Sequence, residues 1–286
     1  MTPVPLVPLI AQKVPFGKAI SLQAFQLVWF RILITLCVLA IYFFTFKISL
    51  KVTKKNFWIL SGIGVVIAFH WLCFYNAIKV SNVSITLVAF STGTLFTSII
   101  EPIFYKRKIA WYEILFGLLI ICAISIIFSI EIQYYMGFIF GMLAALTSSL
   151  FTVWNGLLVR NTSPAIITFY ELSGGLICLT GYLFFTGAFD KEFFIVSSSD
   201  WFYLGVFSVV GTAFPFVAST NLLKKISPFT VTLTVNLETV YGIIFAFLLW
   251  PETEHMTGYF YLGASIILAV ILLNAIVNAK IKKLHS

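Results

Sequence analysis

Long apolar blocks separated by short polar links run through almost the whole chain. A helix of about 20 residues, rising about 1.5 Å per residue, crosses a hydrocarbon core of about 30 Å. Nine blocks of that length stand near residues 25–46, 57–77, 83–105, 111–130, 134–157, 165–186, 201–221, 229–250 and 258–279. The longest link runs only from about Gly187 to Asp200, which leaves no room for a soluble domain. The pattern predicts an all-α polytopic membrane protein whose partner is the lipid bilayer.

Composition agrees. Of 286 residues, 60% are hydrophobic and 10% charged, whereas soluble domains carry about 25% charged residues. The net charge of +8 raises the question of nucleic acid, and its distribution argues against that partner. Thirteen of the eighteen bases fall in alternate links or at the C-terminus: Lys47, Lys51, Lys54, Lys55, Lys106, Arg107, Lys108, Arg160, Lys224, Lys225, Lys280, Lys282 and Lys283. The other links hold Lys13, Lys18, Lys79 and Lys191 with the acids Glu131, Asp190, Glu192, Asp200, Glu252 and Glu254. Bases gather on the cytoplasmic side of membrane proteins. The charge therefore predicts orientation in a cell (inner) membrane, with a cytoplasmic C-terminus. Cys37, Cys73, Cys122 and Cys178 all fall within predicted helices without metal-ligand spacing, and read as small buried hydrophobes. Residues 1–15 hold four prolines and lack the basic start and unbroken apolar core of a signal peptide.

A repeat is visible at a constant offset. KVSNVSITLVAFSTGTLF from Lys79 overlays KISPFTVTLTVNLETVYG from Lys225, pairing Ser81 with Ser227, Thr86 with Thr232 and Leu87 with Leu233, 146 positions apart. The same offset continues into the next helix, where Gly117 meets Gly263. In the intervening link, Lys106, Arg107 and Lys108 meet Glu252, Thr253 and Glu254. One corner is basic in the first copy and acidic in the second, so the copies face opposite sides of the membrane. Each repeat then holds an odd number of helices, and inverted repeats around a midplane site recur in secondary transporters. Two inverted five-helix repeats, residues 1–130 and 131–286, make ten transmembrane helices the expectation. The counterpart of the 134–157 helix falls on MTPVPLVPLIAQKVP, where prolines remove backbone donors. The first helix is accordingly expected to be degenerate or truncated.

These residues carry a family resemblance. LVWFRILIT at 27–35, VSNVSITLVAFSTGTLFTSIIEP at 80–102, SPAIITFYE at 163–171 and the ISPFTVTL-to-PE stretch at 226–252 resemble the EamA-like transporters of the drug/metabolite transporter superfamily. The likeness spans about residues 18–280. It implies two inverted five-helix halves around a central cavity, and export or exchange of small metabolites such as amino acids. The family's first helix helps line that cavity, so the proline-rich start is a departure from the pattern.

Ionisable and polar groups inside the blocks are the candidates for chemistry. Thr230, Thr234, Glu238 and Tyr241 are spaced to share one helical face. Glu238, near the middle of its block, either binds an amine, carries a proton, or is a protonated packing group. Its repeat partner is Thr92, beside Gly93 and Thr94 in a hydroxyl-rich stretch that reads equally as cavity lining or helix packing. His70 and Trp71 stand near mid-helix with Tyr75 and Asn76 a turn later; such a histidine more often packs, and the aromatic cluster makes a substrate or proton role the alternative. In IIEPIFYKRK, Glu101 sits within reach of Lys106 or Arg107 and before Pro102, which suits an anchor or a gate better than substrate binding. Pro215 and Gly93 are further hinge candidates. Arg31 and Glu171 lie about six residues inside their helices, at roughly equivalent places of the two halves and so on opposite faces of the membrane; Arg31 reads first as an interfacial anchor, with attraction of an anionic carboxylate as the alternative. No HExxH, paired aspartates, nucleophile elbow or GxxxxGK[ST] loop occurs, so neither an intramembrane enzyme nor an ATP-driven pump is favoured, and no cofactor is expected. A secondary transporter of a small organic metabolite, with protons as a possible second substrate, leads. A non-transporting remnant is the alternative.

Overall fold

The computed structural model describes residues 21–284 except 107, 109, 110 and 255. The expectation for residues 1–15 lies outside them. Hydrophobic blocks become helices at nearly the predicted bounds: α1 Ala24–Thr45, α2 Lys54–Val80, α3 Val83–Ser91, α4 Gly93–Tyr105, α5 Trp111–Ile130, α6 Tyr135–Leu158 and α7 Pro164–Phe185. There follow α8 Ser198–Ser208, a π-helical turn at Val209–Ala213, α9 Phe214–Leu222, α10 Pro228–Val235, α11 Leu237–Leu249, the short α12 Pro251–Glu254, and α13 Gly258–Leu284. Seven stretches of the described residues are long and apolar enough to span a membrane, with shorter apolar helices at Leu115–Ile127 and Gly258–Asn274.

The ends follow ordinary capping rules. Thr53, Asn82, Ser197 and Ser227 each stand just before a helix and accept a hydrogen bond from a backbone N–H of its first turn. Proline opens α7 and α10, where its missing donor costs nothing.

Three expected continuous helices are interrupted. The 83–105 block bends at Thr92 (φ −61°, ψ −12°) and the 229–250 block at Asn236 (φ −64°, ψ −15°), so the two repeats break with the same geometry within about two positions of one another on the repeat overlay. The 201–221 block contains the π-helical turn. Its cause is legible: Pro215 has no N–H for the carbonyl four residues back, and the Phe214 N–H bonds Val209 O instead.

Helix α2 forms the centre, packed along α6 and α7. The broken pairs cross, α3 on α11 and α4 on α10, while α5 packs on α13 at one flank. Two carboxylates tie the crossing together. Glu101, near the end of α4, accepts from the Phe229 N–H at the start of α10 at 2.8 Å. Glu254, just beyond α11, accepts from the Val83 and Ser84 N–H groups at the start of α3 at 3.1 and 2.9 Å. Each half thus caps the other's broken helix, at opposite ends of the crossing. Glu131, after α5, adds a third cap, accepting from Thr257 N–H and Oγ1 before α13.

Close approach of α2 and α7 depends on glycine. A Cβ at Gly64 would collide with the Glu171 backbone, and one at Gly174 with that of Ser61, whereas Gly62 faces open space. Gly64→Ala should therefore lose about 1–3 kcal/mol through overpacking. Gly62→Ala should hold or gain up to about 1 kcal/mol from helix propensity. Thermal unfolding in detergent checks this, and equal melting temperatures for the two variants would contradict the packing described.

Candidate functional site

The crossing helices line a central cavity of about 110 Å³. Helix α1 contributes Arg31, α2 contributes His70, Trp71 and Tyr75, and α6 contributes Ser148, Thr152 and Asn155. Pro215 and Thr220 of α9, Val231 of α10 and Glu238 of α11 complete the opposite wall. Ligand pockets usually measure about 300–1,000 Å³. A metabolite therefore fits only if the walls move apart, and the breaks at Thr92, Asn236 and Val209–Ala213 supply places for that movement.

Arg31 dominates the site. It is 1% exposed, which corrects its reading as an interfacial anchor. Its Nε donates to Thr212 Oγ1 at 2.7 Å and its Nη1 to the Tyr75 hydroxyl at 2.5 Å. Thr212 belongs to the π-helical turn, whose wider backbone brings that hydroxyl to the guanidinium. The cation lies 4.1 Å from the Trp71 ring centroid and 4.3 Å from that of Phe207, with Tyr75 at 5.6 Å. Cation–π attraction is worth about 2 kcal/mol or more where water is excluded. Glu238 bears electrostatically on both Arg31 and Tyr75. An always-charged fork, aromatic faces and one carboxylate therefore share a small space.

The remaining candidates divide clearly by place. His70, Trp71, Glu238 and Pro215 line the cavity. His70 donates through Nδ1 to Ala144 O at 2.8 Å, and Phe90 and Phe151 flank its ring. Asn76 is brought elsewhere: five residues beyond Trp71, it turns off the cavity face, bonds Leu72 O of its own helix and borders an apolar groove with Phe25 and Tyr182. Tyr241 is 44% exposed on the outer surface, and Thr234 bonds the Thr230 carbonyl. The predicted stripe of Thr230, Thr234, Glu238 and Tyr241 assumed one unbroken helix, and the bend at Asn236 divides it.

Thr92 is buried and returns its hydroxyl to Ala89 O, while Thr94 pairs with Asn236, whose amide also donates to Ser91 O at 3.0 Å. Thr97, Ser149 and Thr232 complete this hydroxyl junction where the bent helices meet. Gly93 sits in the same junction, its carbonyl accepting from Ser149 Oγ at 2.9 Å. Glu101 caps α10, as described, and Pro102 lies one residue beyond it within α4. Thr212 and Phe207 were not among the sequence candidates, and Tyr75 was noted only as a neighbour in the His70 cluster. The Gly211–Pro215 stretch, GTAFP, was the available signal, because a proline four residues past a glycine loosens the helix there.

An all-helical membrane bundle with two inverted broken-helix pairs around a charged, aromatic-walled cavity has the architecture of a secondary transporter. The chain belongs to the EamA-like transporter family, whose model matches residues 11–129 and 135–276. Of the curated proteins compared, none matches. One solved crystal structure of a protein superposes with a TM-score of 0.66 at 11% identity over 96% of each chain. At that identity the likeness shows a shared fold.

The pairing of Arg31 with Glu238 is open to a double-variant cycle. Arg31→Leu should lose about 3–5 kcal/mol by leaving a buried charge without its partner. Adding Glu238→Gln should then cost less than the same change in the parent, by about 0.5–3 kcal/mol. Chemical or thermal unfolding of the four proteins in detergent measures both terms, and strict additivity would separate the two residues.

Proposed function

We propose that the chain moves a small organic metabolite carrying a carboxylate, such as an amino acid, across the membrane by alternating access through the central cavity. The buried Arg31 guanidinium carries this reading. A guanidinium presents a planar fork suited to a carboxylate, and its Nε and Nη1 are already oriented by Thr212 and Tyr75. Such a charge is expensive to keep in the middle of a membrane protein unless it is used or firmly compensated. Glu238 on the facing wall suits a substrate ammonium, and Trp71 and Phe216 offer apolar surface for the remainder.

The halves would rock about the matched bends at Thr92 and Asn236, with Pro215, Pro102 and Gly93 taking up the change in direction. The carboxylate caps of Glu101 and Glu254 lie at opposite ends of the crossing and are the natural closures of the two mouths. Basic links favour a cell (inner) membrane orientation with the C-terminus cytoplasmic, and export is the direction that the family implies. Residues 1–130 and 131–286 serve as the two halves.

Counterflow in proteoliposomes loaded with pooled amino acids provides the test. The parent should accumulate at least one pool. Arg31→Gln should reduce that accumulation about tenfold or more, consistent with losing about 2–5 kcal/mol from a desolvated charge contact. Glu238→Gln should reduce it for zwitterions and spare simple carboxylates. Accumulation that is indifferent to Arg31→Gln would defeat the assignment of the anion-binding group, while uptake of amines alone would reverse the roles of the two charges.

A further inference from the structure

A second carboxyl lies behind the cavity wall and has no role in the site described above. Glu171 of α7 is 0% exposed and stands about 10 Å into its helix. Its Oε2 accepts from the Asn155 amide at 3.3 Å, while its Oε1 and the Asn155 Oδ1 are both buried without a hydrogen-bond partner among the described residues. Asn155 itself lines the central cavity. Two surplus acceptors therefore sit together, one residue away from the space where substrate would pass.

Among the described residues, the surroundings offer this carboxylate no cation. Helix α2 packs against it through Gly64, whose missing Cβ lets backbone close over Glu171. The charged and titratable groups of α2 are engaged elsewhere or lie at its ends: His70 holds Ala144 O, Tyr75 holds Arg31, Cys73 is a neutral thiol packed in the hydrophobic core, and Lys54, Lys55 and Lys79 lie in the first and last turns. On α1, Arg31 is directed to Thr212 and Tyr75, and Cys37 and Tyr42 are exposed. Helix α9 carries no titratable side chain, and α6 only Tyr135, at its first residue. On α7 itself, Tyr170 donates to Leu50 O, and Cys178 and Tyr182 are exposed. An ionised carboxylate left with an unpartnered oxygen in such a place costs several kcal/mol. A proton removes the conflict: the acid O–H becomes a donor, and the Asn155 amide can turn its oxygen to receive it across the 3.3 Å gap.

The geometry points to Glu171, gated by Asn155, as a proton-binding site that opens onto the central cavity. One proton passes from cavity water to a Glu171 carboxylate oxygen, forming the O–H bond, and returns to water when that bond breaks. No electrons are exchanged. With the transporter reading above, this makes the proton the coupled ion and places it on a carboxyl separate from Glu238, which is committed to the field of Arg31 and Tyr75. Only the coupling rests on that reading. Proton binding itself stands on the pair of unpartnered atoms and their place beside the cavity.

Infrared spectroscopy of the full chain in lipid, without any substrate, tests it. The parent should show the carbonyl stretch of a neutral carboxylic acid in mildly acidic buffer, shifted in deuterated water and lost as the buffer is made alkaline. Glu171→Gln should remove that titrating band entirely, Glu238→Gln should retain it, and Asn155→Ala should keep the band while moving its midpoint. A parent without the band, or one whose band survives Glu171→Gln, would overturn the proposal. So would a band that neither exchanges nor titrates, which would mark a permanently neutral structural acid. Loss of the band on adding sodium or lithium at constant pH would reassign the site to a metal cation. If Glu171→Gln fails to fold, Asn155→Ala decides alone, because an unmoved midpoint there would separate the titrating acid from this pair. Since no metabolite is present, a failed counterflow experiment leaves this result intact, and the reverse holds as well.

Discussion

A helix broken inside hydrocarbon leaves backbone donors and acceptors that no water can satisfy, and that constraint governs this molecule. Both repeats contain such a break, at Thr92 and at Asn236, and the carbonyls around the first are satisfied by side chains of the second repeat. Asn236 donates to the Ser91 carbonyl, Ser149 donates to that of Gly93, and Thr239 reaches Leu87 O. At the helix starts, Glu101 and Glu254 supply carboxylate acceptors to first-turn N–H groups, where the helix dipole also favours negative charge. Neither half is complete without the other. A bundle assembled this way can bend at its centre because the polar contacts of each bend are already satisfied there.

The same economy of polar groups shapes the cavity. Arg31 is tolerated because Trp71 and Phe207 cover its faces, Thr212 and Tyr75 take two of its donors, and Glu238 opposes its charge. The π-helical turn is part of that accommodation: without the extra backbone that Pro215 forces, Thr212 would not be offered to the guanidinium. Family membership agrees with a transport role for such a cavity.

The sequence was a good guide to some residues and a poor one to others, for identifiable reasons. Glu238, His70 and Trp71 stood out because ionisable and aromatic groups near the middle of an apolar block are rare, and each does line the cavity. Asn76 and Tyr241 were grouped with them by spacing alone, and spacing fails where the helix turns past the cavity face or bends. Glu101 was legible as an anchor from its depth and the proline after it. Its partner was not, since Phe229 lies 128 positions away and offers only a backbone N–H. Arg31 was read first as interfacial because depth was counted along the sequence, whereas burial depends on which neighbours close around a position.

The sequence by itself determined the membrane class, the helix bounds within a few residues, and the doubled, inverted plan, because hydropathy and charge act locally and hydrocarbon permits few alternatives to a helix. The tertiary structure alone decided which polar groups meet. Hydrogen bonds between helices depend on rotation about each helix axis and on bends of a single residue, and neither quantity is written in the apolar pattern. For that reason Arg31, Tyr75, Thr212 and Glu238 come together only when the bundle is assembled, and Glu171 is left facing an amide instead of a cation.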